Sequence, residues 1–165
     1  MFTIDMEDFT MREIEATEKD YNAYVQCIYR TEFSHKKGKG SEERDVISLY
    51  YDPAPTFNSF CKSLKHDNPY SKEHTFVYED AEGNVVAVAT INKVGDIELE
   101  IQKFVVDWHY QLLGYGRKFY EEIERSARNE GRKKIVLICT FEGAMAFWSK
   151  MGFSHEGYFI KWISY

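Results

Sequence analysis

Between residues 111 and 118 the chain reads Gln111-Leu112-Leu113-Gly114-Tyr115-Gly116-Arg117-Lys118, two glycines one residue apart followed by two cations. Glycine lets a backbone approach a ligand with no Cβ in the way. At the start of a helix, unsatisfied N–H groups and the helix dipole favour an anion such as a pyrophosphate. Arg117 and Lys118 would add charge. The spacing excludes two nucleotide motifs: the third glycine of G-x-G-x-x-G falls on Phe119, and no Gly-Lys-Ser/Thr follows as a Walker loop requires. Upstream, Glu98 and Glu100 alternate with Leu99 and Ile101, which puts both carboxylates on one strand face as candidate proton acceptors or as plain exposed acids.

The other reactive residue types form no such pattern. His35, His66, His74, His109 and His155 are scattered, with no HxxxH or mixed Cys/His ligand spacing, so no metal is expected. Cys27, Cys61 and Cys139 are odd in number and contain no CxxC pair, which fits a reducing compartment. Cys139 has no His and acid placed detectably around it, so a buried strand cysteine is expected in place of a covalent acyl carrier. Asp107, Trp108 and His109 follow the third strand and either line a cleft or belong to an ordinary loop.

These residues need elements to position them. A first strand is expected over 10–16, then a helix over 18–31 that presents Tyr21, Tyr24, Val25 and Ile28 and is capped by Thr17. His35-Lys36-Lys37-Gly38-Lys39-Gly40 reads as a solvated basic loop, and Ser41-Glu42-Glu43-Arg44 as a helix start. Pro53, Pro55 and Pro69 mark breaks, between which Phe57, Phe60, Cys61 and Leu64 recur at helical spacing. Strands over 75–78 and 85–91 flank a turn over 80–84 and form a hairpin; a third strand covers 97–106.

A helix then runs to about residue 129, with Phe119, Ile123 and Ala127 as its apolar stripe opposite Glu121/Arg125 and Glu124/Arg128 pairs, and Gly131 ends it. The apolar run 135–139 predicts a strand covered on both faces, reached by a parallel crossover. A last helix carries Ala144, Phe147, Trp148 and Met151 and stops at Gly152, before one or two strands over 153–165. The class is α+β with a mixed sheet, in one domain over 1–165.

A formal net charge of −6 argues against a nucleic-acid partner, because phosphate-backbone affinity is built from clustered Lys and Arg. No stretch approaches the roughly 18 apolar residues of a membrane span, and the first residues carry acids in place of a basic, apolar leader. The expected location is the cytoplasm, with no membrane partner.

Strand, glycine turn and helix in this order resemble the GNAT superfamily of N-acyltransferases, whose motif Q/R-x-x-G-x-G/A enters the helix after the central strand. Gln111, Gly114 and Gly116 match it, as do Leu99-Glu100 and Val105-Val106 before it and Ala144-x-x-x-Trp148-x-x-x-Gly152-Phe153 after it. The resemblance covers residues 75–159. It implies a mostly antiparallel twisted sheet with a central parallel strand pair and flanking helices. It also implies an acetyl-CoA or other short acyl-CoA donor, whose pantetheine arm lies between residues 104–106 and 135–139.

By the same resemblance, the backbone of Phe104 and Val106 holds that arm, with Val105 between them also in the cofactor site, and Gln111, Leu112, Leu113, Gly114, Tyr115, Gly116, Arg117 and Lys118 surround the pyrophosphate, with Phe147 and Trp148 bordering the site. The Val106 N–H is the oxyanion donor. Glu100, eleven residues before Gln111 as in the histone-acetylating branch, is the base, with Glu98 second. The implied activity is direct acetyl transfer to a primary amine on a small molecule or peptide; a catalytically silent acyl-CoA-binding regulatory module is the alternative. A homodimer is compatible with the family. Three departures stand out: Leu112 and Leu113 replace polar or basic residues, Phe141 replaces an Asn, and Trp148 replaces the Tyr many members use as a general acid.

Overall fold

Runs rich in β-branched and aromatic residues, alternating between two faces, build the centre of the molecule as a sheet. The structure, a computed structural model, describes residues 8–31, 53–64, 73–138, 142–155 and 157–163. In chain order these form β1 (Thr10–Glu13), α1 (Glu18–Val25), a π-helical turn (Gln26–Thr31), α2 (Phe57–Ser63), β2 (Glu73–Glu79), β3 (Val85–Val94) and β4 (Glu98–Val106). A 3-10 turn (Trp108–Tyr110), α3 (Tyr115–Asn129), β5 (Lys134–Leu137), α4 (Glu142–Lys150), β6 (Ser154–His155) and β7 (Phe159–Trp162) follow. The strands lie in the order β1-β2-β3-β4-β5-β7-β6, and every neighbouring pair is antiparallel except β4 with β5. The mixed sheet, its hairpin and its parallel crossover are as expected.

Two apolar layers sandwich this sheet. On one face Ala87, Ala89, Leu99, Ile101, Ile135, Leu137 and Phe159 pack against Phe119, Tyr120, Ile123 and Ala127 of α3 and Trp148 of α4. On the other face Val77 and Val88 pack against Cys27, Ile28 and Phe60, so α1, the π-helical turn and α2 cover the β2–β4 half of the sheet. Among the described residues this second layer does not reach β5. Val136 is therefore half-buried and Ile138 is 78 % exposed, which corrects the expectation of a strand covered on both faces.

Local chemistry sets the element ends. Thr17 and Thr56 accept hydrogen bonds from the Asp20 and Ser59 N–H groups at 3.2 and 3.1 Å and start α1 and α2. The helix expected over 18–31 is α-helical only to Val25 and widens to a π-helical turn from Gln26. After α3, the Gly131 N–H donates to the Arg128 carbonyl and the Arg132 N–H to the Ala127 carbonyl, both at 3.0 Å. Gly131 can occupy that reversal because its φ is 80°. Glu124 and Arg128 approach to 3.7 Å as expected, but Arg125 pairs with Glu122 in place of Glu121, one turn of helix offering both as neighbours. The basic loop over 35–40, the helix start at 41–44, the break at Pro69 and the placement of Cys139 lie outside the described residues.

Candidate functional site

The parallel pair β4·β5 is joined only from Glu98 opposite Lys134 to Ile101 opposite Leu137. β4 continues to Val106, paired with β3 alone, so its other edge is open beyond Ile101 among the described residues. The Asp107 N–H donates to the Val86 carbonyl at 2.8 Å. In an antiparallel ladder the backbone groups alternate sides, so Val105, like Asp107, faces β3, while Phe104 and Val106 turn their N–H and C=O groups into the gap. Val105 is thereby corrected: its backbone serves the β3 ladder, and its side chain packs against the second core cluster.

At the wide end of the gap stands α3. The Gln111 Nε2–H donates to the Val106 carbonyl at 2.8 Å, which ties the turn to the end of β4. This contact gives Gln111 a positioning role and leaves the Val106 N–H still facing the gap. Leu112 adopts φ 64° with its side chain fully exposed, and Leu113 is 62 % exposed. A left-handed leucine costs about 1–2 kcal/mol with no packing to offset it, so this turn is shaped for its backbone.

Gly114, at φ 86°, caps α3 with no side-chain hydrogen bond, and the first intrahelical bond recorded is from the Lys118 N–H to the Gly114 carbonyl at 3.3 Å. At the start of this helix the N–H groups of Gly116 and Arg117 precede the first intrahelical bond and point out of the helix end, with exposed Arg117 and Lys118 beside them. A Cβ on Gly116 would lie 3.4 Å from both Phe147 Cε2 and Val106 Cγ2. The second glycine therefore lets α3 press against the strand and against α4. An open strand edge leading to an uncapped, glycine-flanked helix start fits an extended thioester arm followed by a pyrophosphate. Among the described residues no group of three His, Cys, Asp or Glu side chains is placed to hold a metal.

The structure separates the two candidate acids. Glu98 pairs with Lys134 at 3.1 Å, at the far end of β4, where Arg132 also donates to its carbonyl at 2.8 Å. Glu100 lies beside Val136 across the last joined stretch of β4 and β5, half-buried, with no hydrogen bond or ion pair to a described residue. Both lie on the face covered elsewhere by α1 and α2.

Trp148, expected to border the cofactor, is instead 5 % exposed: its ring lies 5.0 Å from Phe104, 5.5 Å from Tyr120 and 5.3 Å from Phe153, edge-on to each. Its surface goes into the core. Phe147 is half-buried, 5.8 Å from Phe104, and forms the floor beneath Gly116. His109 turns its Nδ1 to buried Asp107 at 2.8 Å, an arrangement the sequence did not disclose. Burial and the neighbouring Asp107 push the Cys27 thiol up to about 12, which removes it as a nucleophile near neutral pH.

A mixed sheet split along a parallel pair, with a glycine-flanked helix start at the wide end, is the arrangement of the GNAT fold. The Acetyltransferase (GNAT) family matches residues 39–153, and the chain belongs to that family of acetyltransferase enzymes. It is 29 % identical over 82 residues to the tRNA uridine(34) acetyltransferase of Methanocaldococcus jannaschii, a match covering 50 % of this chain but only 15 % of that protein. Its fold is similar to the PaiA N-acetyltransferase of Thermoplasma acidophilum in complex with coenzyme A (TM-score 0.68, 14 % identity, 93 % of this chain and 96 % of that one). It is also similar to the ribosomal-protein-S18-alanine N-acetyltransferase of Escherichia coli (TM-score 0.63, 16 % identity, 96 % of each chain).

Proposed function

We propose that the protein transfers an acetyl group from acetyl-CoA directly to a primary amine, with Glu100 as the base. The observation that carries this reading is the Glu100 carboxylate beside the point where β4 and β5 part, half-buried and without a hydrogen-bond or ion-pair partner among the described residues. Acetyl-CoA, when bound, supplies an activated acyl carbon and a thiolate leaving group. The Phe104 and Val106 N–H groups face the gap and suit a carbonyl oxygen that gains negative charge. The N–H groups of Gly116 and Arg117 at the helix start, with the Arg117 and Lys118 side chains, suit the pyrophosphate.

An amine acceptor reaches the enzyme largely as ammonium, so a proton must leave before nitrogen attacks. Glu100 takes that proton, the N–C bond forms, the C–S bond breaks, and the second proton lost by the nitrogen passes to the departing thiolate or to solvent. Trp148 offers an N–H donor but no acid. A thiol of pKa roughly 8.5 leaves as thiolate with only solvent or hydrogen-bond help, so a tyrosine acid is dispensable. The test is thiol release from acetyl-CoA across a panel of amines, alongside CoA binding. Amine-dependent thiol release with matching N-acetylated product is the expected result. CoA binding with no amine acetylated would overturn the reading in favour of a silent acyl-CoA-binding module.

A further inference from the structure

The hairpin β3–β4 contains a register shift: Thr90 lies opposite Lys103, but Ile91 lies opposite Ile101, so Gln102 is an extra residue on β4. Strict alternation would put Lys103 on the face opposite Glu100. The bulge puts them on the same face, because their partners Thr90 and Asn92 are two residues apart on β3. The two positions are then separated by about 7 Å along the sheet. Lys103 Nζ donates to the Tyr24 hydroxyl oxygen at 3.1 Å and sits 5.7 Å from the centre of that ring, which confirms the face. No ion pair joins Glu100 to Lys103.

Two opposite charges thus stand on the same side of the gap, near its closed end, and do not neutralise each other. The Tyr24 oxygen accepts from Lys103, leaving its own O–H to donate, and the ammonium retains two further N–H groups. Of the other acids on this face, Glu98 is tied to Lys134, and Glu73 on β2, opposite Asn92, lends its negative charge to keeping Lys103 protonated, while β5 offers only Val136 beside Glu100. A polyamine would bring a second positive charge towards Lys103 and be repelled. An acceptor with a carboxylate a few bonds from its amine satisfies both groups at once.

We infer that the acceptor is an amino-acid-type zwitterion, its amine held by Glu100 and its carboxylate by Lys103 and the Tyr24 hydroxyl. This rests on the amine-acetylation reading above. The same chemistry occurs in a free amino acid and in a peptide beginning with Asp or Glu.

The test compares, on the full chain with acetyl-CoA, matched sets of an amino acid, its amide and the amine lacking the carboxyl group, together with peptides beginning with Asp, Asn, Glu or Gln. Thiol release gives kcat and KM, and calorimetry on the CoA-loaded protein gives acceptor affinity. Carboxylate-bearing acceptors should exceed their neutral counterparts by about 10- to 100-fold in kcat/KM, as one charge-assisted contact provides. Lys103→Gln should bring that ratio towards one, mainly through KM and acceptor affinity; Lys103→Arg should preserve part of it. CoA affinity measured alongside reports that each variant is folded. Preference for free amino acids or for acidic peptides identifies the source, and either supports the inference. Amides and simple amines used as well as the acids, or a ratio untouched by Lys103→Gln, would overturn the inference while leaving amine acetylation standing. Absence of thiol release with every amine removes the parent reading instead.

Discussion

Gly116 offers a quantitative check on how the start of α3 is built. In Gly116→Ala the new Cβ meets Phe147 Cε2 and Val106 Cγ2 at 3.4 Å, the near edge of ordinary contact, and the backbone there has no positive φ. Alanine raises helix propensity by up to about 1 kcal/mol, so the variant should be close to neutral or slightly more stable. Gly116→Val directs branched carbons into the same two neighbours, and such overpacking costs about 1–3 kcal/mol. For a chain of this size that lowers Tm by about 2–12 °C. Displacing the first turn also moves the N–H groups at the helix start, and loss of one charge-assisted hydrogen bond weakens CoA binding by about 10- to 100-fold. Thermal unfolding and calorimetric titration with CoA read the two effects separately. A valine variant with unchanged Tm and unchanged CoA affinity would refute the packing argument. An alanine variant that loses CoA as severely as valine would show that the glycine serves ligand approach, and packing on Phe147 and Val106 only secondarily.

Glu100→Gln should lower kcat by about 10²- to 10⁴-fold with CoA affinity retained, the usual contribution of a positioned base; Glu98→Gln should change it far less, since that carboxylate is tied to Lys134. Equal losses in both variants, measured at equal folded fraction, would show the roles wrongly divided. The Arg12 guanidinium makes two contacts to Asp20, at 2.7 and 2.8 Å, and Asp20 has only 1 % of its side chain exposed. Arg12→Met would strand that carboxylate at a cost of about 3–5 kcal/mol. Burial works to raise the Asp20 pKa, but hydrogen bonds from Arg12 and the Glu15 N–H, with the Arg12 charge, leave it below the ordinary value. A depressed folded-state pKa contributes stability that is complete above the unfolded value of about 3.9 and is lost as pH falls through the lower folded value. Acid unfolding followed by circular dichroism should therefore begin below about pH 4 in the wild type and at higher pH in Arg12→Met; coincident midpoints would rule out Asp20 as a contributor.

Periodicity and local signals were enough to mark out the strand–turn–helix segment around Gly114 and Gly116, the hairpin, the parallel crossover and the helix ends at Gly131 and Gly152, because spacing, caps and turn residues act within a few positions of one another. Which face each side chain occupies was legible only where alternation is unbroken, as for Glu98 and Glu100. One extra residue at Gln102 moved Lys103 onto the Glu100 face, and nothing local marks that bulge, since it is defined by pairing with β3. Burial of Trp148 and the tie of Glu98 to Lys134 depend likewise on non-local contacts, the first on Phe104 and Tyr120 from other elements and the second on pairing with β5 across the crossover. Gln111 showed its type in the sequence, but its bond to the Val106 carbonyl exists only because the turn folds back on the strand. Among the described residues the second core layer stops short of β5 and leaves Ile138 exposed, and an apolar run reads the same whether or not a helix lies above it. Short-range chemistry thus determined the elements and the class of site, while non-local pairing decided which charges meet.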